Sequence, residues 1–141
     1  MTRAICVALV LAAVITSGVD AQQSGYKVEK TIELTIKDGK LMFIERGKDH
    51  AEPITIVVGE KIRFENKDKE PHTVVSTMVI EGKPLFSTGV IKPGEYLDLL
   101  FDIDLYQRAG GKPANVVTLK YRSDQQLGED SEIRLLSAAK R

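Results

Sequence analysis

Two histidines, His50 and His72, carry most of the chemistry open to this chain. Pro71 precedes His72 directly, so the backbone ahead of that imidazole is fixed at the proline φ. In the same regions lie the carboxylates Glu45, Asp49, Glu52, Glu70 and Asp124 and the hydroxyl of Ser123. Imidazole combined with oxygen donors suits Cu(II), and to a lesser degree Zn(II) or Ni(II). No C-x-x-C or H-x-x-x-H spacing accompanies the pair. The competing reading makes His72 a hydrogen-bonded imidazole packed against the last-strand loop, and His50 an ordinary exposed residue. Met42 and Met78 read as core or edge residues rather than Cu(I) thioether ligands. A serine and an aspartate near a histidine also invite a hydrolase reading. No G-x-S-x-G elbow surrounds Ser123, however, and no glycine-rich phosphate loop occurs. Asp102 and Asp104 sit in a charged surface stretch, so catalysis is not expected.

A series of short strands must position these groups. Ile62 and Phe64 alternate with Lys61, Arg63 and Glu65, the period-two pattern of a half-buried strand, which Asn66-Lys67-Asp68 stops with a polar turn. His72 is expected on a rigid loop between that strand and a short one at Thr73-Val74-Val75. Ile32, Leu34 and Ile36 alternate before the Asp38-Gly39 turn, Leu41 to Ile44 form a second apolar run, and Ile54, Ile56 and Val58 alternate again. Gly59 permits a tight reversal into the strand that begins at Lys61. Leu97, Leu99 and Phe101 mark a later strand, as do Val117, Leu119 and Tyr121, and Ile133 to Leu136 closes the set. Eight or nine short strands without a long amphipathic helix predict an all-β, single-domain Greek-key antiparallel β-sandwich. The reversal at Gly59 predicts that the residues before Ile54 and those after Glu65 emerge at one end, so His50 and His72 share it. The stretch Ser123 to Gln126 is expected there too.

The run Asn66, Asp68, Pro71, His72, Thr73, Val74 resembles the first-ligand segment of the cupredoxins, the plastocyanin-like copper proteins. Downstream, Phe86-Ser87-Thr88-Gly89-Val90-Ile91-Lys92-Pro93-Gly94, followed by Phe101, is similar to that family's F-x-S-G-x-L-x-P-G segment, in the same order and at about the same spacing. The resemblance implies a cupredoxin-like sandwich. It also implies where a blue copper site would lie, because the family clusters Cys, a second His and Met in the pattern Y-x-C-x-x-H followed by Met. Here that stretch looks like Tyr121-Arg122-Ser123-Asp124-Gln125-Gln126, with Ser123 at the Cys position, Gln126 at the His position and no methionine after them. A serine hydroxyl does not ionise near neutral pH, and a glutamine carbonyl is a weak donor, so neither restores a copper–thiolate site. Of the four ligand positions only His72 is kept, and the site is degenerate. The chain is therefore not expected to be a type-1 electron carrier.

Met1 to Ala21 reads as a secretory signal peptide: Arg3, an apolar run from Ala4 to Ile15, then Val19-Asp20-Ala21 as a small-residue cleavage site. A retained anchor helix is the competing reading, although the apolar run is short for a bilayer. Residues 22–141 are expected to form the exported domain, periplasmic or extracellular and not membrane-inserted after cleavage. The chain's one cysteine, Cys6, falls inside the signal, which leaves the mature domain without thiol or disulfide. Twenty basic and twenty acidic residues cancel without a basic run, which argues against nucleic acid as a partner. Two further departures from a minimal sandwich are the charged connection Glu45 to Glu52 and the stretch Asp102 to Ala114, where one helical turn is expected around Asp104 to Ala109 before Gly110-Gly111.

Two functions from different classes remain. One is an exported binding or accessory module that docks a redox or copper-handling protein through its former copper end. The alternative is a thiolate-free copper-binding protein, for storage or delivery, using His72 and His50.

Overall fold

The computed structural model describes residues 26–125 and 128–138. The expected signal peptide and Gln126 lie outside them. Eleven strands form: β1 (Val28–Lys37), β2 (Lys40–Glu45), β3 (Ile54–Val57), β4 (Lys61–Asn66), β5 (His72–Ser76), β6 (Val79–Ile80), β7 (Lys83–Pro84), β8 (Ser87–Ile91), β9 (Tyr96–Leu100), β10 (Val116–Ser123) and β11 (Ser131–Leu136). Among the described residues one helix, α1 (Ile103–Arg108), interrupts them. Nine of the strands build two facing sheets, in the orders β2-β1-β4-β9 and β3-β11-β10-β5-β8, while β6 and β7 form a separate two-strand ladder. The chain crosses repeatedly between the sheets, giving the all-β Greek-key sandwich that the strand pattern predicts.

Two features differ from the sequence reading. The sheets are mixed rather than purely antiparallel, because β1 pairs parallel with β4 and β3 pairs parallel with β11. The reversal at Gly59 is also an arch between sheets and not a hairpin. Ile54 and Ile56 on β3 and Ile62 and Phe64 on β4 are all buried. Both strands therefore turn apolar faces into the core, and a sandwich satisfies this by placing them in opposite sheets. Gly59, with φ of 100°, makes the turn in the left-handed region that glycine tolerates, and its amide donates to the Phe101 carbonyl.

The core follows from alternation. Along β10 every second residue, Val117, Leu119, Tyr121 and Ser123, is buried. Tyr121 joins the sheets by edge contacts, its ring centroid 4.9 Å from that of Phe43 and 5.7 Å from that of Phe64. Lys61 is the exception to its strand's pattern. Predicted to face outward, it is buried where the chain enters β1, its amide donating to the Lys27 carbonyl. Helix α1 sits close to its expected place: the Asp102 carboxylate caps it by accepting from the Leu105 amide at 2.8 Å, and Gly110 with φ of 87° follows its end.

Candidate functional site

His72 is the first residue of β5 rather than part of a loop, paired in the ladder with Ile91 of β8. Its inward direction is set by register. β5 and β10 pair antiparallel with Val74 opposite Ser123 and Ser76 opposite Tyr121, so the buried faces of the two strands coincide. His72 is two residues from Val74 on the same face, which makes it the diagonal neighbour of Ser123. The ring reaches across that diagonal, and its Nδ1 lies 3.2 Å from Ser123 Oγ. On its other side Nε2 lies 2.7 Å from Asp68 Oδ2. His72 is only 2% exposed.

One tautomer satisfies every group. An ionised Asp68 only accepts, so Nε2 carries the proton and donates to it; Nδ1 then accepts from the Ser123 hydroxyl. Ser123 Oγ in turn accepts from the Gln125 amide at 3.3 Å, and Asp68 Oδ1 accepts from the Lys69 amide at 2.8 Å. The hydrogen bond from His72 holds the Asp68 carboxyl below its ordinary value; burial opposes this and the Lys69 amide assists it.

Asn66 fixes the loop that presents Asp68. Fully buried at the end of β4, it donates through Nδ2 to the Glu70 carbonyl at 2.7 Å and the Ile91 carbonyl at 2.9 Å. Its Oδ1 accepts from the Asp68 amide at 2.9 Å. All the hydrogen-bonding capacity of the amide that a buried position must satisfy is thus used, and β4, the loop and β8 are joined.

His50 has a different environment. Its side chain is 64% exposed, with Nδ1 2.6 Å from Asp49 Oδ1 and Nε2 3.4 Å from Glu52 Oε2. These carboxylates raise its pKa, the Asp49 hydrogen bond contributing most. The Asp49 carbonyl accepts from Lys37 Nζ at 2.6 Å, which holds this loop to the end of β1. Because β1 runs parallel to β4, that end is also where β4 hands over to the Asp68 loop. The histidines thus emerge at one end of the sandwich but share no hydrogen-bond partner among the described residues.

The other expected groups scatter. Glu45 pairs with Lys30 at 2.8 Å, well along β2 opposite Ile32. Glu52 also pairs with Lys48 at 2.6 Å. Asp124 donates its amide to the Thr73 carbonyl and leaves its side chain exposed. Among the described residues no group of three or more His, Cys, Asp or Glu side chains converges to hold a metal. Asp68 is the functional-looking residue that sequence reasoning placed in a motif but gave no role. The signal was its position four residues before His72 in a loop closed by Asn66.

No family model matches this chain, and no curated protein does. Solved structures similar to it include cupredoxins. A purple cupredoxin from Nitrosopumilus maritimus is 16% identical, with a TM-score of 0.47 over 74% of this chain and 97% of that one. A point variant of amicyanin in its Cu(I) form is 14% identical, with a TM-score of 0.48 over 74% of this chain and 81% of that one. A second amicyanin variant, reduced, is 14% identical with a TM-score of 0.48, over 77% and 84%.

Proposed function

We propose that this chain is an exported cupredoxin-like binding or accessory module in which the former ligand loops serve as a scaffold. One observation carries the reading: His72 is buried with both ring nitrogens engaged inside the protein, by Asp68 and Ser123. The Asp68 contact alone would not argue against a metal, since a ligating imidazole commonly donates its other ring N–H to a carboxylate. The nitrogen a metal would need is Nδ1, and there a neutral hydroxyl stands where a soft thiolate would be required. The partner in this reading is an exported redox or copper-handling protein that meets the His72 end. No described helix is long and apolar enough to cross a membrane.

The second reading, a thiolate-free copper protein for storage or delivery, draws on His50, whose exposed ring stands beside two carboxylates at the same end as His72. A Cu(II) titration of residues 22–141, followed by EPR and visible absorption, separates the two. The scaffold reading expects only weak binding, unchanged by His72→Ala. A stoichiometric site with nitrogen hyperfine structure that His72→Ala abolishes would overturn it and establish the second. For docking, charge changes at Glu70 and Asp124 are expected to alter capture of exported partners without changing metal content.

A further inference from the structure

The end of the sandwich away from His72 carries a preformed cavity of about 380 Å³. It is built where α1 meets the turn into β10 and the exit from β11. Because β10 runs from Val116 to Ser123, this cavity and the His72 site lie at opposite ends of an eight-residue strand, roughly 23 Å apart. None of the residues around His72 lines it.

Sequence chemistry explains why the cavity is rigid. Tyr106 is buried in α1, and its hydroxyl lies 2.5 Å from the Lys112 carbonyl and 2.7 Å from the Asn115 carbonyl, which pins the turn across the ring. Gly111 is required beneath that ring, since a Cβ there would stand 2.4 Å from Tyr106 Cε1. Ala114 takes a left-handed φ of 64°, and its amide donates to Ser137 Oγ at 3.1 Å. The turn and the segment after β11 are thereby held together.

The wall is mainly apolar, with Ile103, the Tyr106 ring, Pro113 and Ala138 in it, and the exposed Lys112 also lines it. Ile103 is 53% exposed, an unusual position for a large aliphatic side chain on a helix whose other apolar residues are buried. Among the described residues Lys112 is the only charged one in the lining, and no carboxylate pairs with it. A concave apolar pocket of this size with a few placed polar groups is the usual form of a small-molecule site, typically about 300–1,000 Å³. We propose that this cavity binds a compact apolar molecule bearing one carboxylate, its apolar body against Ile103 and Tyr106 and its charge on Lys112. Among the described residues Lys112 is the one cation in an otherwise uncharged lining, and it favours an anion over a neutral molecule.

Octanoate is the probe, with 1-octanol as its neutral counterpart, titrated into residues 22–141 at low salt and followed by amide chemical shifts. Saturable shifts confined to residues 103–114 and 137–138 are expected, with octanol weaker by about tenfold. Lys112→Glu is expected to lower octanoate affinity by about tenfold, and Ile103→Glu to abolish binding. Both side chains are exposed enough for the variants to fold, which thermal melts check. His72→Ala should leave octanoate binding unchanged, so that failure here and failure of the scaffold reading stay distinct. Absence of saturable shifts, equal binding of octanol and octanoate, or indifference to Lys112→Glu would each overturn the proposal. So would binding that appears only after residues 139–141 are deleted, because the chain's own end would then be the occupant.

Discussion

His72 and Ser123 are 51 positions apart in sequence, and their Nδ1 and Oγ atoms are 3.2 Å apart in space. The contact joins the start of β5 to the end of β10, at the end of the sandwich where His50 also emerges. It stands where the cupredoxin resemblance puts a histidine and a cysteine ligand. Hydroxyl and imidazole satisfy one another there, and Asp68 completes the chain on the far side of the ring.

Ser123→Ala tests the contact directly. The substitution leaves Nδ1 buried without a donor, and an unsatisfied buried acceptor costs about 1–3 kcal/mol. Urea melts should show a lower midpoint at unchanged slope, because the surface exposed on unfolding stays the same. A change within about 0.5 kcal/mol, as is usual for inconsequential surface substitutions, would show that the bond contributes nothing.

Asp68 predicts a pH dependence. Its folded-state pKa is depressed, first by the His72 hydrogen bond. A depressed carboxyl stabilises the fold above its unfolded value of about 3.9, and that stability is lost as pH falls through the folded value. Asp68→Asn should therefore be less stable than the parent at pH 7, and the gap should begin to narrow near pH 4 and go on narrowing as pH falls through the folded value. Comparing the two proteins cancels the other depressed carboxyls, Asp49, Glu52 and Glu65. A gap that does not narrow at all as pH falls below about 4 would point to packing rather than charge.

Much of this was legible in the sequence because it follows from period two. Alternation along Val117, Leu119 and Tyr121 gives the inner face of β10, and Ser123 continues it by one step. The motif around His72 likewise located the end of β4 and the polar turn. Pairing was less legible. Nothing in the residues around Gly59 distinguishes an arch from a hairpin, since both need the same tight turn; which sheet each strand joins depends on partners far away in the chain, such as β11 for β3. The carboxylates gave the least reliable guide. Glu45 and Asp68 look alike in sequence, yet strand register places Glu45 beside Lys30 while loop closure by Asn66 places Asp68 on His72.

That closure makes Asn66 the residue whose loss should travel furthest. Asn66→Ala removes hydrogen bonds to two carbonyls and one amide at a fully buried position. At about 1 kcal/mol for each neutral bond, the expected cost is about 3 kcal/mol. Asp68 would also lose its fixed position, so amide exchange at residues 68–72 should accelerate more than in the sheets. Uniform acceleration across the whole domain would mean that Asn66 contributes only global stability and does not order the loop.

The likeness of His72 and Ser123 to a ligand pair can also be tested by restoring one ligand. Ser123→Cys puts a sulfur beside His72 Nδ1, while Nε2 keeps the Asp68 hydrogen bond that orients a ligating imidazole. Residues 22–141 contain no other cysteine, so any thiolate signal reports that position. Co(II) is the suitable probe, since it binds imidazole and thiolate without readily oxidising the thiol. The variant should show a sulfur-to-cobalt charge-transfer band that the parent lacks, and Ser123→Cys combined with His72→Ala should lose most of it. If the single variant gives no band, Nδ1 and the residue-123 side chain do not converge on a common ion, and the likeness to a ligand pair ends at the hydrogen bond. If the band survives His72→Ala, the thiolate has found other donors, and the His72 end was never arranged around that imidazole.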